Sequence, residues 1–176
     1  MRHEGGPFRR WLAGLVAAVL LATAGCRDVP EGVLFEISGR IFVLNYRVAT
    51  ANYVITLRPL GEVPDGLTAR AVFENPEGGG QILVSQKVYP KLGKVVLESP
   101  AVFCLAKDRF YKVDIEIIGD GGKTVQAIHT EVLSTLDQSV LPDAPLVVGP
   151  VYTPNPDLAG NPGGKLPDGQ GHACPG

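Results

Sequence analysis

The sequence predicts an all-β fold, a single antiparallel β-sandwich of about seven strands. Between Val33 and Leu136, apolar and polar residues alternate with period two, as in strands that have one buried face and one solvated face. Turn-forming Gly, Pro, Asn and Asp interrupt this alternation about every 8–12 residues. No stretch after residue 25 sustains the 3.6-residue period of a helix, so we expect strands joined by turns throughout.

The N-terminal segment has the pattern of an export signal. Three arginines among the first ten residues precede an uncharged run, Trp11 to Ala22. This run is shorter than the ~20 apolar residues that a membrane-spanning helix needs. Small residues at positions 23–25 and then Cys26 follow it. We expect residues 1–25 to be a signal peptide that is removed after export.

The segment Leu21-Ala22-Thr23-Ala24-Gly25-Cys26 resembles the lipobox of bacterial lipoproteins, in which small residues precede an obligate cysteine. Thr23 stands where that family usually has leucine. The resemblance implies that the Cys26 thiol carries diacylglycerol and that, after cleavage, its amine carries an acyl chain such as palmitate. Several acyl chains anchor a protein stably in a bilayer. Ordinary cleavage after Ala24 is the alternative, since Ala22-Thr23-Ala24 is also an A-x-A site.

The same resemblance implies a location. Arg27 follows the cysteine, and in enteric-type sorting a residue other than aspartate there implies the outer membrane rather than the inner one. We therefore expect an exported protein that is lipid-anchored facing the periplasm. Residues 26–32 would be a lipidated linker to the folded domain.

Three predicted strands show the alternation most clearly. They lie at 52–58, 67–74 and 110–117. Their core-facing residues are Tyr53, Ile55 and Leu57 in the first, Leu67, Ala69, Ala71 and Phe73 in the second, and Tyr111, Val113, Ile115 and Ile117 in the third.

Four more strands complete the set. They are expected at Leu34 to Val48, Gln81 to Tyr89, Lys94 to Glu98 and Thr124 to Ser134. In the last of these, Val125 and Ala127 are out of phase with the apolar residues that follow, which predicts a β-bulge near Ala127.

Seven strands in about 100 residues resemble the outline of an immunoglobulin-like sandwich. Tyr111 follows a loop and opens a strand in Asp108-Arg109-Phe110-Tyr111, which resembles the tyrosine corner of such domains. That resemblance implies a structural role for Tyr111, and the alternative is that Tyr111 is simply a core aromatic. The hairpin at 119–123 with its final strand resembles the end of a fibronectin type III-like domain.

The composition changes after Leu141. Residues 33–141 form the predicted sandwich domain, whereas residues 142–176 contain eight Pro and seven Gly. Such a segment cannot build a core of its own, so we expect it to be mostly extended or disordered. Two apolar groups stand out in it, Leu146 to Val148 and Val151 to Tyr152. We expect these groups to dock on the sandwich or to cover an edge strand.

The three cysteines allow a disulfide. An odd number in an exported chain requires an explanation, and lipidation of Cys26 leaves Cys104 and Cys174 as a pair. These two either form a disulfide in the oxidising periplasm or remain as two free thiols.

No pattern predicts catalysis, a cofactor or a metal. His129 shares a strand face with Glu131, which is typical of a solvated surface. His172 and Cys174 are two ligands, fewer than the four of a structural zinc site. We find no phosphate-binding loop and no nucleophile motif, so we expect a protein that is not an enzyme.

The net charge and the expected location in the cell envelope lead to the predicted function. Residues 1–25 hold three basic residues and one acid, which leaves 13 basic and 17 acidic residues and a net charge near −4. A mildly acidic chain without a basic run is a poor nucleic-acid ligand. We expect a non-enzymatic interaction or structural module of the cell envelope that binds another envelope protein. The alternatives are a small-ligand or polysaccharide binder, with Tyr53, Phe73 and Tyr89 shaping a groove, and an accessory of secretion similar to pilotin lipoproteins.

Overall fold

The structure is a computed structural model that describes residues 32–161, 163–166 and 174. The predicted signal peptide, Cys26 and His172 lie outside the described residues. The fold is all-β and its sheets are antiparallel, as predicted. Among the residues described, no helix is long and apolar enough to cross a bilayer.

Seven main strands form two sheets. They are β1 (Phe35–Asn45), β2 (Thr50–Pro59), β3 (Thr68–Phe73), β4 (Ile82–Lys87), β5 (Val95–Glu98), β6 (Arg109–Ile118) and β7 (Thr124–Ser134). One sheet has the order β1-β2-β5 and the other β4-β3-β6-β7. The fourth strand therefore pairs with the third, whereas in constant-type immunoglobulin domains it lies beside the fifth.

The core lies between the two sheets. Every residue predicted to face it from β2, β3 and β6 is buried, which confirms the predicted faces. Four core aromatics, Phe42, Tyr53, Phe73 and Tyr111, form one cluster, with the Phe42 and Tyr53 ring centroids 4.3 Å apart. Tyr53 and Phe73 are fully buried, so they cannot shape a binding groove as the alternative function required.

The irregularity of β7 lies two residues before the predicted position. Ile117 of β6 pairs with Gln126 and Ile118 with Thr124, so Val125 is the extra residue of the bulge. Ala127 pairs regularly with Glu116 and is exposed. Val125 and Ala127 both face outward, which is why their apolar character was out of phase.

Residue Gln126 joins the start of β1 to the opposite sheet. Its side-chain oxygen accepts hydrogen bonds from the backbone N–H groups of Leu34 (2.9 Å) and Phe35 (3.0 Å). Its amide nitrogen donates to the Phe35 carbonyl at 2.7 Å. The Gln126 side chain thus adds hydrogen bonds to the start of β1, whose Phe35 also pairs with Pro59 of β2.

The Pro/Gly-rich segment is folded over its described residues. Two short strands, β8 (Val147–Val148) and β9 (Thr153–Pro154), pair as a hairpin, and Leu158 is buried. The backbone N–H of Leu146 donates to the Arg47 carbonyl at 2.9 Å, which attaches the hairpin to the β1–β2 turn. Over its described residues the segment therefore carries a hairpin that is bonded to the sandwich. Leu146 and Val147 are half-buried there, whereas Val148, Val151 and Tyr152 are exposed rather than docked.

Candidate functional site

Residue Tyr111 has the contact that defines a tyrosine corner. It is fully buried, and its hydroxyl accepts a hydrogen bond from the backbone N–H of Ala106 at 2.7 Å. The acceptor belongs to β6 and the donor to the loop five residues upstream. The guanidinium of Arg109 lies 4.7 Å from the centre of the Tyr111 ring. These contacts tie the loop to the strand.

A disulfide joins Cys104 to Cys174, with the two Cα atoms 5.3 Å apart. Cys104 is buried, in the loop between β5 and β6, and Cys174 is exposed. A cavity of about 250 Å³ beside the bridge is lined in part by Ala49, Phe103 and Leu141. The bond fastens the end of the C-terminal segment to the loop that Tyr111 also holds.

A salt-bridged turn secures the same segment. The Asp143 carboxylate accepts hydrogen bonds from the Leu166 N–H at 2.9 Å and from Lys165 Nζ at 3.2 Å. The bond from the Leu166 backbone, followed by the Lys165 ammonium, holds the pKa of Asp143 below its usual value. Lys165 Nζ also donates to the Leu141 carbonyl at 3.0 Å. The chain returns here to the point where it left the sandwich.

The folded segment presents an exposed apolar surface. We define the hairpin surface as Tyr46, Arg47, Val148, Val151 and Tyr152. Val151 is 80% exposed, Tyr152 59% and Tyr46 51%. The guanidinium of Arg47 lies 5.2 Å from the centre of the Tyr152 ring, so the two sides of the surface are in contact. Tyr and Arg are the residue types that contribute most to protein–protein binding energy.

Backbone strain is concentrated at this end of the sandwich. Four non-glycine residues of the described chain have left-handed φ angles: Ala49 (54°), Cys104 (64°), Asp108 (59°) and Tyr152 (54°). All four lie in connections at the end where β1 meets β2 and where the hairpin docks. Such conformations persist only where the surroundings enforce them, and they cluster at functional sites.

The outer face of the second sheet carries the polar candidates of the sequence. His129 Nδ1 lies 2.6 Å from the Asp114 carboxylate, and both side chains are exposed. Within the described residues, no group of three or more His, Cys, Asp or Glu side chains is arranged to hold a metal ion. The arrangement is that of an exposed cross-strand pair.

The sequence-based search missed two exposed features. Phe110, 57% exposed, lines an open depression of about 670 Å³ on the second sheet, together with Glu74, Asn75, Arg109 and Lys112. The second feature is the hairpin surface. The sequence identifies Val148, Val151 and Tyr152 as apolar, but it does not predict that they are exposed together. Their exposure depends on where the hairpin docks.

The chain was compared with protein families, curated proteins and solved structures. No protein-family model and no curated protein matches it. Among solved structures it is similar to a Pseudomonas fluorescens alkylpurine DNA glycosylase, AlkC, bound to DNA containing an abasic site analog. The identity is 10% and the TM-score 0.30, over 58% of this chain and 31% of that one. The chain spans about a third of that protein, and a likeness at this TM-score carries no argument about fold or function.

Proposed function

We propose that this protein is a membrane-anchored lipoprotein of the cell envelope, and that its sandwich is a non-enzymatic module binding another envelope protein through the hairpin surface. The observation that carries the proposal is an exposed cluster of aromatic and aliphatic side chains on a hairpin that is held in place. Contiguous exposed apolar residues mark interaction sites. Lipidation of Cys26 supplies the address, and it rests on the lipobox resemblance.

The hairpin surface is suited to this role because it is organised before binding. The Leu146–Arg47 backbone bond, the Asp143 carboxylate and the Cys104–Cys174 disulfide all restrain the segment that carries it. A restrained loop loses less conformational entropy when a partner binds, and affinity rises accordingly.

Photo-crosslinking tests the proposal in the intact envelope. A photoreactive phenylalanine analogue is placed at Tyr152, and, as a control, at Leu83, which is 62% exposed on the outer face of β4. We expect one discrete protein adduct from position 152 and none from position 83. The same adducts from both positions, or none from position 152, would contradict the proposal. A secretion-system protein in the adduct would specify the pilotin-like form of this function.

A second candidate function follows from the depression around Phe110. An exposed aromatic beside the Glu74–Arg109 ion pair (2.8 Å) and Asn75 combines a stacking surface with polar groups that can orient a sugar. If the protein binds envelope polysaccharide there, Phe110→Ala abolishes retention on a column of that polysaccharide. Tyr152→Ala leaves it unchanged. Retention that neither variant alters would exclude this site.

A further inference from the structure

The β4–β5 connection lies at the end of the sandwich from which the N-terminal linker leaves. Phe35, the first residue of β1, pairs with Pro59 at the end of β2. Val95, the first residue of β5, pairs with Leu57 on the other side of β2. Neighbouring strands are about 4.8 Å apart, and the two starts are offset by two residues along β2, so they are roughly 12 Å apart.

The linker limits how far this end can lie from the proposed anchor. Five residues, 27–31, separate Cys26 from Gly32, so six Cα-to-Cα steps join the two. Six extended residues span at most about 22 Å. An acylated Cys26 therefore keeps Gly32, three residues before β1, within about 22 Å of the headgroups, and the β4–β5 connection lies at the same end of the sandwich.

The chemistry of the connection fits a lipid surface. We define the loop surface as Lys87, Tyr89, Lys91, Leu92 and Lys94. Leu92 is 68% exposed and Tyr89 50%, and all three lysines are exposed. From residue 81 to residue 97 the chain has no acidic residue, although the chain after residue 25 is acidic overall. Exposed lysines beside an aromatic and a leucine combine attraction to anionic headgroups with groups that enter the interface.

The connection is held in shape rather than hanging free. Val88 is buried, and its N–H donates to the Leu67 carbonyl at 2.9 Å. A short 3-10 turn, Pro90–Leu92, follows and ends at Gly93, whose φ of 64° suits glycine. Leu92 is thereby presented at the tip, between the lysines at positions 91 and 94.

Among the described residues, the acidic ones at the same end lie outside the loop surface, and Glu36 of β1 is paired with Arg58. Glu62 and Asp65 belong to the β2–β3 loop, and Asp120 belongs to the β6–β7 hairpin, where its carboxylate lies beside Gly66. Lys123 closes that hairpin. The positive charge of the loop surface is thus not paired with acids of its own connection.

We propose that the loop surface rests on the membrane, with Leu92 and Tyr89 at the level of the headgroups and the three lysines on anionic phospholipids. The inference rests on the proposed lipid anchor, because the anchor brings the loop to the bilayer at a high effective concentration. The contact orients the sandwich so that the hairpin surface, at its other end, points away from the bilayer.

Single-tryptophan reporters test the contact. The only tryptophan of the sequence, Trp11, precedes Cys26, so the processed protein has none. Leu92→Trp and Tyr89→Trp place reporters on the loop surface, and Val151→Trp places a matched control on the hairpin surface. The acylated proteins are reconstituted into phosphatidylethanolamine–phosphatidylglycerol vesicles whose acyl chains are brominated. We expect about a twofold loss of emission at positions 89 and 92 and little loss at 151.

A charge variant completes the test. Lys87, Lys91 and Lys94 are replaced by Gln in the Leu92→Trp protein. Its emission in the anionic brominated vesicles should then rise to the level that the Leu92→Trp protein shows in brominated phosphatidylcholine vesicles, which carry no net charge. Equal quenching at 92 and 151, or emission unaffected by the lysine replacements, overturns the inference. Palmitate incorporation and vesicle flotation report on the anchor separately. Protein that floats without quenching refutes the contact alone, and protein that is neither labelled nor floated refutes both proposals.

Discussion

The hydroxyl of Tyr111 accepts a hydrogen bond from the backbone N–H of Ala106, 2.7 Å away, and so ties the start of β6 to the loop that holds Cys104. Removing the hydroxyl leaves that N–H without its acceptor inside the fold. We expect Tyr111→Phe to lower the free energy of unfolding by about 1–3 kcal/mol, as measured by urea denaturation. Tyr89→Phe, at an exposed position, is the matched control. Equal stability of Tyr111→Phe and wild type would contradict the structural role.

The Cys104–Cys174 bond predicts a linked peptide pair. Mass spectrometry of non-reduced protein from the periplasm should recover one peptide joining the two cysteines. The bond spans 70 residues of sequence, so Cys174→Ser should lower the free energy of unfolding by up to about 4 kcal/mol. Quantitative alkylation of both thiols without prior reduction would refute the bond.

Two glycines of the C-terminal segment distinguish the cost of a left-handed backbone conformation from the cost of a steric clash. Both have positive φ angles, Gly160 at 87° and Gly164 at 73°. A Cβ at Gly164 would lie 2.5 Å from the Leu146 side chain and 2.6 Å from that of Pro142. A Cβ at Gly160 would have no atom within 4 Å. We expect Gly160→Ala to cost about 1–2 kcal/mol and Gly164→Ala roughly 1–3 kcal/mol more. Rapid proteolysis of the segment only in the second variant would support this packing.

Protonation of Asp143 should loosen the same segment. Its pKa is lowered in the folded protein by the hydrogen bond from Leu166 and by Lys165, so ionisation stabilises the fold above the unfolded value of about 3.9. This contribution is lost as the pH falls through the lowered folded value. The amide resonance of Leu166 should titrate with a midpoint below that of a free aspartate, which is about 3.9. Asp143→Asn should abolish that titration. A midpoint at or above the free value would contradict the bond.

Lipidation of Cys26 is tested directly. Radiolabelled palmitate should enter the wild-type protein, and Cys26→Ala should abolish the label and release soluble or unprocessed protein, because the thiol is the site of attachment. Cys174→Ala is the control and should retain the label. An unlabelled wild type, together with unchanged membrane association of Cys26→Ala, would favour ordinary cleavage after Ala24.

Local pattern was enough to predict the seven main strands and the buried faces of β2, β3 and β6. The observed strand at Arg109–Ile118 exceeds the predicted 110–117 by one residue at each end, and Thr124–Ser134 was predicted at both ends. Side-chain alternation is a property of neighbouring residues, so a sequence contains it in full. The sequence also offered Cys104 and Cys174 as a possible pair, because lipidation of Cys26 would leave these two of the three cysteines.

Only the tertiary structure decided which strands are neighbours and what the Pro/Gly-rich segment does. Strand β4 pairs with β3 from Thr68–Lys87 to Phe73–Ile82, and the alternation within each strand does not specify that neighbour. The hairpin surface depends on single long-range contacts, such as that of Leu146 with Arg47 and that of Lys165 with Leu141. Composition predicted a segment unable to fold by itself, which is consistent with a segment that folds only against the sandwich. The segment is held by hydrogen bonds and one disulfide rather than by a core of its own. These contacts join residues that are far apart in sequence, so only the three-dimensional structure specifies them.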